Sequence, residues 1–103
     1  MDKYHTSSLF LEDAKKAATR QGYDAGKLSL ATDGVHKLSY QSPEGLKHFG
    51  ALGYGDGLYY KRFEPHIAEK KRMVFRRSHR AISRLHGLGK YSSNELSLSI
   101  LWS

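Results

Sequence analysis

Cysteine is absent from this 103-residue chain. That excludes a disulfide framework, thiolate metal ligation and a cysteine nucleophile, and it is compatible with a reducing compartment. Long hydrophobic runs are missing as well. No stretch approaches the ~18–20 apolar residues of a spanning helix. The opening MDKYHTSS has no apolar core of a secretory signal, and the closing LSLSILWS is too short to span. The expectation is a soluble protein that is not secreted, or a subunit of an assembly.

Acids are scarce where bases are dense. The chain carries 17 Lys and Arg against 10 Asp and Glu, a net charge of +7. Residues 1–60 hold seven of each sign, residues 61–90 hold ten bases and two acids, and residues 91–103 add only Glu95. The excess positive charge therefore sits in one block, which seeks an anionic surface: nucleic acid, an acidic protein face or anionic lipid.

A chain of about 100 residues is the size of one domain with a modest core. Its patterning predicts an α+β fold, a small antiparallel sheet packed against an N-terminal helix and a long basic amphipathic helix. Leu9, Phe10, Ala14, Ala17 and Ala18 recur at helical spacing after Ser7 and Ser8, and Gly22 suits a helix end. These predict a serine-capped helix over 8–21. Leu28 and Leu30, then Asp33-Gly34, then Val35, Leu38 and Tyr40 predict a hairpin around a type I′ turn. Ser42-Pro43-Glu44-Gly45 reads as a second turn, leading to a third strand from Leu46 to Phe49. The tail allows two readings, a capped helix from Ser92 or an alternating strand over Leu96–Trp102; the cap favours a short helix. Either way, its apolar end is expected to dock.

Residues 64–86 predict the longest element, with Pro65 in its first turn and Gly87 at its end. On a helical wheel Ile67, Val74, Ala81, Ile82 and Leu85 share one side, with Phe75 at its edge, and this arc is expected to cover the sheet. Arg72, Arg76, Arg80 and Arg84 recur every four residues on the opposite side, widened by Arg77 and Lys70, while Lys71 falls near the apolar arc. Like charges at this spacing repel by a few tenths of a kcal/mol each. A one-signed arginine stripe with only Glu69 to offset it reads as an outward anion-binding face.

Other chemistry finds little support. Gly50, Gly53, Gly55 and Gly57 crowd one segment, but their spacing matches neither a P-loop nor a dinucleotide fingerprint, so an irregular connection is expected. His5, His36, His48, His66, His79 and His86 are scattered without metal-ligand spacing, and no metal or cofactor is expected. Asp56 with His48 is the acid–histidine pair to inspect, although bonding of loop amides is the favoured reading of Asp56.

His48-Phe49-Gly50, Gly53-Tyr54 and Asp56, then Arg72, Phe75 and Ser78-His79-Arg80, then Leu101-Trp102 form a series. Over residues 46–102 it resembles a family of short basic proteins of unknown function from large nucleocytoplasmic DNA viruses. The family pattern opens HFG-x-x-G-x-x-D-Y, continues with R-x-x-Y-x-x-R-H and closes Leu-Leu-Trp. Here Gly57 stands in place of the first Tyr, Phe75 in place of the second, and Ser78 in place of Arg. Residues 1–45, the N-terminal helix and hairpin, lie outside the resemblance.

The resemblance implies a viral context: a virion component such as a minor capsid or core protein, or a DNA-associated protein, in the virion or in the viral factory of the host cytoplasm or nucleus. The expected function is accordingly a non-enzymatic assembly component that binds an acidic protein surface or DNA. Lys61, Arg62, Lys70, Lys71, Arg72, Arg76, Arg77, Arg80 and Arg84 are the candidate anion-binding residues. Tyr59, Tyr60, Phe63, Tyr91 and Trp102 are the candidate aromatic anchors. The alternatives are a sequence-nonspecific nucleic-acid-binding module using the same cations and a small nuclease-like enzyme. The last lacks a visible acid cluster.

Overall fold

The computed structural model describes residues 2–103. The fold is α+β, as predicted. A short turn α1 (Asp2–His5) precedes α2 (Ser8–Arg20), then a 3-10 turn over Ala25–Lys27. Strands β1 (Leu28–Leu30), β2 (His36–Ser42) and β3 (Gly45–Ala51) form an antiparallel sheet in the order β1-β2-β3. Helices α3 (Gly57–Phe63), α4 (Pro65–His86) and α5 (Ser93–Leu96) follow, and the last widens into a π turn over Ser97–Leu101.

Local chemistry accounts for most of these boundaries. The Ser7 hydroxyl accepts from the Phe10 amide to cap α2. At its far end the Tyr23 amide donates to Ala18 and the Gly22 amide to Thr19, with Gly22 at φ +84, so a Schellman motif satisfies the last carbonyls. Pro65 begins α4 and Gly87, at φ +60, ends it. Ser42 pairs with Gly45 across the Pro43-Glu44 turn, whose geometry is held by the Ser42 hydroxyl.

The first hairpin differs from expectation. No residue other than glycine has positive φ among the described residues, so Asp33-Gly34 is not the type I′ turn. Asp33 instead accepts from the amides of Val35 and His36 and from the His36 ring. This side-chain turn lengthens the loop. Helix α3 was also unanticipated, because its start is dictated by Asp56 capping the Tyr59 amide inside what reads as a glycine loop.

The core is one contiguous cluster. Phe10, Ala14, Ala17 and Ala18 of α2 meet Leu28, Leu38, Tyr40 and Phe49 of the sheet and Leu96, Ile100, Leu101 and Trp102 of the tail. The tail is thus helical and buried. Residues 37–40 of β2 are buried consecutively, so both faces of this central strand are covered.

The orientation of α4 corrects the sequence reading. Its predicted core arc lies in solvent: Val74 is 61%, Ile82 40% and Leu85 80% exposed. The reason is that α2 and the apolar tail already cover the sheet, leaving α4 to dock on the tail. It does so through Phe75, Arg76, His79 and Ser83, a narrow mixed strip roughly a third of a turn from the apolar arc.

Candidate functional site: the outer surface of the long helix

Two aromatic contacts anchor α4. The Phe75 ring lies flat between Trp102 (centroids 4.4 Å apart) and His79 (3.7 Å), both with interplanar angles of 11°. Asn94 fixes the histidine. Its amide nitrogen donates to the His79 carbonyl and the Ser83 hydroxyl, leaving its oxygen to accept from His79 Nδ1 at 2.7 Å.

The arginine stripe divides at this contact. Arg76 donates to the carbonyls of Leu98 (2.8 Å) and Trp102 (2.9 Å), acceptors at the end of the final turn that no helix bond satisfies. Burial, then the neighbouring Arg80 and Arg72, hold its pKa below the usual guanidinium value. Arg72 donates to the Ser103 carbonyl and to Glu69. Both residues, expected to face outward, therefore hold the tail in place. Lys61 also reaches the Ser103 carbonyl, and Arg62 grips Asp13 of α2 through two bonds of 2.9 and 3.0 Å. These four cations act chiefly as internal clamps.

The remaining cations stay outside. Lys70, Arg77, Arg80 and Arg84 are exposed and, among the described residues, have no acid partner; the arginine–acid pairs are Arg62–Asp13 and Arg72–Glu69. Lys71 is exposed too, its ammonium 5.7 Å from the Tyr60 ring. Beside them runs the uncovered arc of Val74, Ile82 and Leu85, with Ile67 half-buried at its start. A groove of about 570 Å³ opens along it, lined by Ile67, Lys70, Lys71, Val74, Phe75 and Trp102.

Most candidate aromatics face inward. Trp102 is buried, Tyr59 packs among Tyr4, His5 and Phe63, Tyr60 lies beside Trp102, and Tyr91 stacks on Tyr40. Phe63 alone of the five is exposed, at 51%.

Asp56 sits in a buried cluster that sequence reasoning missed. Its Oδ2 accepts from His5 Nε2 (2.9 Å) and Lys37 Nζ (3.0 Å), and its Oδ1 from the Tyr59 amide (2.9 Å). Its histidine is therefore His5; His48 lies against Ser39 (2.7 Å) and stacks on His36. No spacing could have revealed this. Lys37 falls between inward-facing positions of a strand, where alternation points it to solvent, and His5 lies 51 residues from its partner. Gly57 is explained here too, since a Cβ would collide with the Leu101 carbonyl oxygen.

Among the described residues no helix is long and apolar enough to cross a membrane, and no group of three or more His, Asp or Glu side chains could hold a metal ion. Comparison with protein-family models, curated proteins and solved structures finds no match.

Proposed function

We propose that this chain is a non-enzymatic assembly component whose α4 docks an acidic amphipathic segment of another protein. The observation that carries this reading is the adjacency of an uncovered apolar arc to unpaired cations on one helix. A partner that contacts both must offer apolar and anionic groups together, as an acidic helix does in a groove. Duplex DNA would engage the cations but leave the apolar arc wet. A second copy of this chain would bring like charges together, which is unfavourable. The resemblance of residues 46–102 to proteins of large DNA viruses supports a virion assembly as the setting.

Fluorescence anisotropy tests the proposal with two labelled probes: a helical peptide with a leucine seam flanked by glutamates, and duplex DNA. Micromolar peptide binding, weakened about tenfold or more by Val74→Gln, Ile82→Gln and Leu85→Gln together, is expected. Tight DNA binding indifferent to those changes, with no peptide binding, would replace it with a nucleic-acid role.

A further inference from the structure

A second pocket lies where β3, the glycine-rich loop, α4 and the tail converge. Its volume is about 360 Å³, and Ala51, Tyr54, Phe75, His79 and Trp102 line it together with the buried Lys37 and Asp56. Sites for small molecules run from about 300 to 1,000 Å³. This one is the size for a single-ring compound.

Its polar end is unbalanced. The Lys37 side chain is 2% exposed, and Asp56 Oδ2 is its one protein acceptor among the described residues. An ammonium has three protons to donate. Asp56 has no such deficit, because its two oxygens already accept three bonds from His5, Lys37 and Tyr59. A buried donor gains most from an acceptor, and a charged acceptor makes the stronger bond. Asp56 is the sole acid on the pocket wall, and its charge is already shared, so an incoming anion meets little repulsion. The rest of the wall is largely aromatic and aliphatic.

We infer that this pocket binds a small planar carboxylate, its oxygens on the Lys37 ammonium and its ring against Phe75 and Trp102. The inference is independent of the docking role of α4. The two sites share Phe75, His79 and Trp102 in their walls, but Lys37, Ala51 and Asp56 line this pocket and not the groove, so the inference would survive the failure of that proposal.

Trp102, the single tryptophan, supplies the readout. In a nitrogen-15-labelled sample its indole N–H signal is unique. Benzoate, benzyl alcohol and benzylammonium are titrated separately. Benzoate is expected to shift the Trp102 indole and Gly55 amide saturably, about tenfold or more tighter than benzyl alcohol, with benzylammonium giving no saturable shift. Lys37→Met with Asp56→Asn removes both charges at once and keeps a side-chain oxygen for the Tyr59 amide. It should bring benzoate down to the affinity of benzyl alcohol. Ala51→Phe, at the exposed end of β3, should fill the pocket and abolish both while leaving Trp102 the single tryptophan. Absence of a saturable benzoate shift up to about 20 mM would overturn the inference. So would undiminished benzoate binding by the Ala51→Phe variant, which decides the matter even where the double variant fails to fold.

Discussion

Asp56 shows how one buried carboxylate ties distant parts of the chain together. Burial pushes its carboxyl up, but the His5 hydrogen bond, the Lys37 charge and the Tyr59 amide outweigh that and hold it below the usual carboxylate range. Asp13 follows the same pattern: burial raises it, and the bonds from Arg62 and Tyr4 bring it down. A carboxylate whose folded pKa lies below the unfolded ~3.9 stabilises the fold fully above that pH. The contribution is lost as pH falls through the folded value. Urea midpoints measured between pH 5 and pH 3 should therefore drop on acidification, and less steeply in Asp56→Asn. At pH 7 that substitution leaves Lys37 buried without its counter-charge and should cost ~3–5 kcal/mol in denaturant unfolding. Replacing Lys37 by Met as well should recover part of the loss, since an apolar pair has no charge to leave unpaired.

At the scale of elements, α4 has three roles on three faces. A mixed strip holds the tail, an apolar arc is bare, and a cationic face points away from the body. Truncating the buried Trp102 to Ala removes the surface on which Phe75 lies and should cost ~3–5 kcal/mol by thermal or denaturant unfolding. The Val74→Gln, Ile82→Gln and Leu85→Gln changes sit on exposed helix and should each shift stability by less than about 0.5 kcal/mol. A large loss from those three would mean that the arc is covered within the chain. The same geometry changes what Arg76→Ala is expected to do. It should destabilise the docked tail by freeing the Leu98 and Trp102 carbonyls rather than merely weaken anion binding.

For the whole molecule, the cationic block is a field that some of its residues reserve for the fold. Five arginines on duplex phosphates correspond to a log–log salt slope near −4 to −5. With Arg72 and Arg76 turned to the tail, Arg77, Arg80 and Arg84 remain, and the arginine contribution to the slope of any duplex DNA binding falls to about −3. Binding of the acidic peptide should also weaken with salt, but a residual part carried by the apolar arc should persist at high ionic strength. Anisotropy over a salt series separates the two contributions.

The sequence by itself determined the α+β class, the α2 and α4 limits, the three strand positions and the place of excess charge. Each is written locally: Ser7 caps within three residues, Gly22 and Gly87 end helices at their own φ, and Pro43-Glu44 turns a strand over two residues. What α4 turns inward was not written locally. Its arc has the spacing of a core face, yet burial is a competition among all apolar surfaces of the chain, and α2 and the tail occupy the sheet instead. The partners of Asp56 belong to the same class of fact. His5, Lys37 and Asp56 have unremarkable neighbours in sequence and meet only because the N-terminus, β2 and the start of α3 converge in space. Tertiary structure alone decided which arginines hold the protein together and which remain available to a partner, because only folding set the tail's unsatisfied carbonyls beside Arg72 and Arg76.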